Sequence, residues 1–156
     1  MAIAQAVEHY LRAHELPYEV IPHSRAVSSA RVAETAHLPG DQLAKSVLLQ
    51  DANGYLIALL PSTRKLDLGK LRHQLDRMVA LAIEQEVNRI FSDCDAGAVP
   101  ALGSAYDVVT VVDDALLAQP EIYFEAGDHE ELVHMSGRDF RALMADLPHG
   151  RVTYRP

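Results

Sequence analysis

The chain has 156 residues, 49% hydrophobic and 23% charged, with a formal net charge of −8 at pH 7, the profile of one globular domain spanning residues 1–156 with a single sizeable core. No apolar run approaches the roughly 18 residues of a membrane span, and the lone cysteine, Cys94, excludes an internal disulfide and points to a reducing compartment, by default the cytoplasm. Residues 1–80 hold nine Lys/Arg and eight Asp/Glu, residues 81–156 five and fourteen. That balance excludes a broad nucleic-acid clamp and leaves room for a short contact with one phosphate or nucleotide from the first half.

The first residues, Met1 to Gln5, lack the basic start and long apolar stretch of a signal peptide. Ile3, Val7, Tyr10 and Leu11 recur at helical spacing and predict an amphipathic helix ending near Leu16-Pro17. Tyr18–Ile21 reads as a short strand. Ser28 or Ser29 is suited to cap a helix through Ala30, Ala33 and Ala36, stopped by Pro39-Gly40. Two apolar runs, Ala44–Gln50 and Tyr55–Leu60, flank Asp51-Ala52-Asn53-Gly54 and predict a β-hairpin. Asp67 caps a helix over Leu68, Leu71 and Leu75. A strand at Met78–Leu81, a helix at Glu84–Phe91 and a long irregular stretch from Ser92 to Asp107 follow; so long a loop in a compact domain is more often functional than accidental. Val108–Val112 is a buried strand, and Ile122–Ala126 and Leu132–Met135 flank a tight turn at Gly127-Asp128. Ser136, with Asp139 three residues on, opens a last helix through Phe140, Leu143 and Met144. Without a strict βαβ repeat, the expected class is α/β of the α+β type, a mixed and mostly antiparallel central sheet wrapped by helices.

Lys45 is the first functional candidate. Alternation puts it on one strand face with Val47 and Leu49, and Ala44, Ser46 and Leu48 on the other. Both faces are largely apolar, so its ammonium lies beside hydrocarbon, which is costly unless something pairs with it. A strand-end lysine whose stem packs while its head reaches water is the alternative. The loop Asp95–Gly103 is the second candidate. Its glycines allow backbone N–H groups to approach a carbonyl or phosphate oxygen, and Pro100 stiffens the approach; an ordinary surface connection is the alternative. Ser62-Thr63-Arg64-Lys65 reads either as a small phosphate contact or as a solvated turn. Cys94 lies between two acids, which raises a thiol pKa and disfavours a nucleophile. His9 and His14 do not share a helix face. No HExxH, CxxC, Walker or GxGxxG pattern is present, so neither metal nor cofactor is expected.

Taken in order, several pieces resemble one family from about Val20 to Arg141. They are His23 and Ser28 before an Ala-rich helix, Leu43-Ala44-Lys45-Ser46-Val47-Leu48, Arg64-Lys65-Leu66-Asp67, Gly97-Ala98-Val99-Pro100-Ala101-Leu102-Gly103, and Gly127-Asp128-His129 with Met135-Ser136-Gly137-Arg138-Asp139-Phe140. The chain resembles the YbaK family, whose superfamily includes the editing insertion domain of bacterial prolyl-tRNA synthetases. The resemblance implies a YbaK-like fold and a freestanding trans-editing deacylase. Its reaction is hydrolysis of the ester joining a wrong, small amino acid to the 3′ end of a tRNA, without metal, with a synthetase as a possible partner and no membrane. It implies catalytic roles for Lys45 and Gly97, and substrate contacts from Ser28, Ser46, Ala98, Val99, Pro100, Ala101 and His129. This chain has Ala101 where the family's loop usually ends in proline, and Ser28 where many relatives carry threonine. A catalytically silent binding or regulatory module of the same fold is the alternative.

Overall fold

The computed structural model describes residues 3–23 and 29–156. In chain order the elements are α1 (Gln5–His14), β1 (Glu19–Pro22), α2 (Ser29–Thr35), a 3-10 turn (Gly40–Gln42), β2 (Leu43–Asp51), β3 (Gly54–Pro61), β4 (Lys65–Leu66), α3 (Leu68–Leu75), β5 (Ala80–Leu81) and α4 (Glu84–Ile90). A second 3-10 turn (Gly103–Tyr106), β6 (Val109–Asp113), α5 (Asp114–Leu117), β7 (Glu121–Glu125), β8 (Glu131–Ser136), α6 (Gly137–Leu143), β9 (His149–Gly150) and β10 (Thr153–Tyr154) complete it.

One sheet runs in the order β1-β8-β7-β2-β3-β6-β9, with β5 also paired to β2. The β1–β8, β7–β8, β2–β3 and β2–β5 pairs are antiparallel; β2–β7, β3–β6 and β6–β9 are parallel. The fold is thus a mixed α/β architecture with a mostly antiparallel central sheet flanked by helices. A separate two-stranded ribbon joins β4 to β10.

Local signals set most boundaries. The β2–β3 hairpin closes through Ala52-Asn53, where the Asp51 carboxylate accepts from Asn53 N at 2.8 Å, and all eight register pairs from Ala44↔Pro61 to Asp51↔Gly54 are formed. Asp67 caps α3 by accepting from Lys70 N, and Ser136 caps α6 by accepting from Asp139 N. The first helix stops at His14, ahead of the expected Leu16-Pro17, because Glu15 turns into the left-handed region at φ 53°. The expected strand at 78–81 shrinks to Ala80–Leu81. The stretch 92–107 contains the 3-10 turn at 103–106.

The sheet separates two apolar layers. On one face Val7 and Leu11 of α1, Phe91, Leu116 of α5 and Phe140 of α6 pack with Ala44 and Leu48. On the other, Leu71 of α3 and Val152 pack with Leu49, Leu60 and Val111, and Val32 and Ala33 of α2 pack with Leu43 and Leu132. Leu49, Leu60 and Leu71 are fully buried; each such leucine contributes about 1.5–3 kcal/mol relative to exposure.

Candidate active site around an opening beside strand β2

β2 is bonded along its length to β3 but only in parts on its other edge. β7 meets it at Leu43 and Ala44, and β5 at Leu49 and Gln50. Ala82 N reaches Leu48 O at 3.0 Å. Among the described residues no strand covers that edge at residues 45–47, so the sheet is open there. Lys45 and Ser46 are half-buried at the opening.

Their side chains leave on opposite faces. Ser46 Oγ donates to Pro100 O at 2.9 Å, so Ser46 faces the glycine loop. Lys45, one residue earlier, therefore points to the α3 side. There it lines a cavity of about 320 Å³ with Val47, Lys65, Leu66, Leu68, Leu81 and Tyr154. Lys65 and Tyr154 are register partners across the β4–β10 ribbon. Burial first, and the Lys65 ammonium second, hold the Lys45 pKa below the ordinary lysine value. Two ammonium groups at the rim of an apolar cavity favour an anionic or strongly dipolar guest, because each gains more from it than from its like-charged neighbour.

The loop approaches from the other face. Asp95 N donates to Gly127 O at 2.7 Å and Ala98 N to Asp95 O at 3.0 Å, closing a tight turn over Ala96-Gly97. Gly97 adopts φ 83°, a conformation that disfavours a side chain. Ala96 and Gly97 are exposed and Val99 is half-buried, whereas Pro100 is buried. Ala98 and Ala101 are 0% exposed. The side chains of Ala98 and Ala101 thus serve the core, and a ligand at this loop would meet main chain at Ala96-Gly97 and the Val99 side chain. The structure does not bring Lys45 and Gly97 to one face of β2; it places them on either side of the opening. Ser28 lies outside the described residues.

His129 sits beneath the loop. It is 2% exposed, with Nε2 donating to Ala96 O at 2.6 Å and Nδ1 3.1 Å from Glu125 Oε1. A carbonyl only accepts, so Nε2 carries a proton, and the Nδ1–Glu125 contact shares one more. Burial is the main cause pushing the Glu125 carboxyl up to about 7, against the pull of His129. With both ring nitrogens engaged, His129 is placed to brace the loop. Glu125 was not singled out from sequence; its position four residues before His129 across a turn was the available signal. Lys65 and Tyr154 also border Lys45, which the sequence does not mark; there Ser62-Thr63-Arg64-Lys65 reads only as a small phosphate contact or a solvated turn.

The remaining candidates lie elsewhere. Burial first, with Asp93 and Asp95 adding to it, pushes the Cys94 thiol up to about 12, and its Sγ contacts Asp93 and the Tyr106 hydroxyl. Such a thiol is a poor nucleophile at neutral pH. His134 is bonded to Glu19 and Glu121 and stacks on Tyr123. Among the described residues no group of three or more His, Cys, Asp or Glu is arranged to hold a metal ion, and no helix is long and apolar enough to cross a membrane.

Comparison with known proteins adds the family. A solved hypothetical protein is 21% identical, with a TM-score of 0.85 over 96% of this chain and 100% of that one. A structure described as "a putative trans-editing enzyme for prolyl tRNA synthetase" is 20% identical, with a TM-score of 0.81 over 96% of each chain. These two likenesses show the fold. A "putative signal transduction protein" from Marinobacter aquaeolei VT8 is 26% identical, with a TM-score of 0.77 over 97% of this chain and 31% of that one. No curated protein matches the sequence significantly. Residues 23–143 match the family described as "Aminoacyl-tRNA editing domain", a span containing β2, the glycine loop and His129, and this chain belongs to that family.

Proposed function

We propose that this protein is a freestanding aminoacyl-tRNA deacylase that removes a small amino acid from the 3′ end of a mischarged tRNA. The observation that carries the reading is the half-buried Lys45 at the opening in the sheet, within a chain matched to the aminoacyl-tRNA editing family over residues 23–143. An aminoacyl ester is already activated, so the site need only position water and stabilise charge. Water adds to the ester carbonyl carbon, and the tetrahedral species expels the ribose oxygen. That oxygen takes up a proton as the amino acid leaves with a carboxyl group. Lys45 anchors a phosphate at the RNA end or charge developing on the carbonyl oxygen. The exposed main chain at Ala96-Gly97 holds the guest from the other side of the opening, and Ser46 fixes the loop through Pro100. Water is oriented by the loop and by the substrate's adjacent ribose hydroxyl. The apolar walls from Val47, Leu66, Leu68 and Leu81 suit a small apolar side chain. A synthetase partner would supply much of the tRNA affinity that a net charge of −8 denies the chain alone.

A catalytically silent binding module has one observation in its favour: the same fold makes up 31% of a larger chain described as a signal transduction protein. Deacylation of a panel of mischarged tRNAs, by wild type and by Lys45→Ala, separates the readings. Rapid release of one small amino acid by the wild type alone supports the deacylase and names its substrate. Retention of every aminoacyl-tRNA without a shortened lifetime refutes the deacylase reading.

A further inference from the structure

Arg64, Lys70 and Arg151 come from three segments, the turn after β3, helix α3 and the β9–β10 connection, and meet in a cavity of about 430 Å³. The other lining residues are Asp113, Asp114, Ala115 and Thr153. Arg64 Nε donates to Thr153 Oγ1 at 2.6 Å, and Lys70 Nζ to Thr153 O at 3.2 Å. Among the described residues, none of the three cations lies within ion-pairing distance of a carboxylate, and Arg64 keeps both Nη groups without a hydrogen-bond partner.

Of the two carboxylates of the cavity, Asp113 is engaged by the protein through both oxygens and Asp114 through one. Asp113 Oδ1 accepts from Val152 N at 3.0 Å, and Oδ2 accepts from Thr153 Oγ1 at 3.1 Å and Ala115 N at 3.2 Å. Asp114 Oδ1 bonds His149 at 2.7 Å. The buried Asp113 thus holds Thr153, and Thr153 orients the Arg64 guanidinium. This is a fixed, cation-rich recess in a protein of net charge −8. It shares the β4–β10 ribbon with the Lys45 cavity: Arg64 and Thr153 face one, and the consecutive residues Lys65 and Tyr154 face the other.

We propose that this recess is a second anion subsite that binds a backbone phosphodiester of the RNA acceptor stem whose 3′ end enters the Lys45 cavity, an assignment that rests on the deacylase reading for its ligand. A guanidinium with two free Nη groups suits a phosphate's paired oxygens, and Lys70 and Arg151 add point charge. The subsite aligns the stem while Lys45 meets its end.

The test is direct binding of an uncharged acceptor-stem RNA hairpin by fluorescence anisotropy across a salt series. The proteins are wild type, the double variant Lys70→Ala/Arg151→Ala, the rescue variant Lys70→Ala/Arg151→Lys, and Arg12→Ala as a surface-charge control. Lys70 and Arg151 are exposed, so their removal leaves the core untouched. The double variant should weaken binding roughly tenfold near 0.1 M salt and flatten the slope of log Kd against log salt by about one, while the control changes neither and the lysine restores part of the slope. An unchanged slope, or an equal loss in Arg12→Ala, overturns the proposal, as does a hairpin that the wild type does not bind. Titration of inorganic phosphate alone provides the second arm: phosphate binding at these residues with no effect on the RNA slope assigns the recess to a free anion and also overturns it. A wild type that deacylates nothing yet shows the slope change keeps the subsite and sinks only the catalytic reading.

Discussion

Replacing Lys45 with methionine separates catalysis from stability most cleanly, because the hydrocarbon stem is kept and only the ammonium is lost. A hydrogen bond from a charged donor in a partly desolvated site contributes about 1.5–3 kcal/mol, and a donor to developing oxyanion charge about 2.7–4 kcal/mol. Lys45→Met should therefore reduce kcat/KM about 10²-fold or more on the cognate mischarged tRNA, read from the release of labelled amino acid. Stability should move the other way. The folded-state pKa of Lys45 is held below its unfolded value by burial and by Lys65. Below the folded-state pKa the charged form is a net cost to folding, and that cost fades only as pH rises through the folded and then the unfolded pKa. Because the group is half exposed, solvent screens much of this; the gain in Lys45→Met should not exceed about 1 kcal/mol, or roughly 2–4 °C in Tm. Lys65→Met supplies the companion measurement. Removing the second ammonium raises the Lys45 pKa, so the alkaline limb of the kcat/KM profile should move to higher pH. Turnover within a factor of two of wild type in Lys45→Met, or an alkaline limb that Lys65→Met leaves in place, would refute this account of the ammonium.

Three further outcomes follow from the surroundings of the site. His129→Ala removes the brace on Ala96 and leaves Glu125 buried without its partner; urea titration should show a loss of about 1–3 kcal/mol, and the tRNA panel should show altered ranking among amino acids. Glu125→Gln tests the shared proton by pH. Because the folded carboxyl titrates near 7 rather than at its ordinary 4.5, its stabilisation is complete below 4.5 and lost as pH rises through about 7; wild type should lose stability relative to Glu125→Gln over that window, and parallel curves would count against it. Iodoacetamide should leave both Cys94 and activity untouched at pH 7.5 in the folded protein, since a thiol pushed up to about 12 is almost wholly protonated; rapid labelling with loss of turnover would show Cys94 to be a reactive thiol at the site.

The features legible in the sequence are those set by neighbours along the chain. The β2–β3 hairpin, the Asp67 and Ser136 caps and the face shared by Lys45, Val47 and Leu49 each depend on a few consecutive residues, and each is formed. The two-residue strands β4, β9 and β10 carry no periodic signal, because tertiary pairing alone makes them strands. The opening beside Lys45 was illegible for a related reason: it depends on where β7 and β5 stop pairing with β2, and register between distant segments leaves no local trace. Strand alternation places Lys45 and Ser46 on opposite faces, but only the Ser46–Pro100 hydrogen bond shows which of those faces the glycine loop approaches. The resemblance pointed to His129 as a substrate contact, but only the fold shows Glu125 and Ala96 occupying its two nitrogens.

The opening itself has an identifiable physical origin. β7 runs parallel to β2 for only two register pairs, then is drawn away after Phe124 toward the start of the chain, where Ala4 N donates to Ala126 O at 2.6 Å. Gly127, at φ 120°, lets the backbone pass so close to Ala4 that a Cβ there would lie 2.8 Å from the Ala4 Cβ. The next turn is pinned by Asp128, which accepts from Glu130 N and Glu131 N, and by His129 under the loop. The contacts that draw β7 away from β2 are therefore contiguous with those that hold Ala96-Gly97 in place. One short segment, residues 125–129, both opens the edge of β2 and braces the loop that borders the opening. Among the described residues, the sheet is already parted where Lys45 stands. Its geometry is as rigid as the Ala4–Ala126 and His129–Ala96 hydrogen bonds that part it.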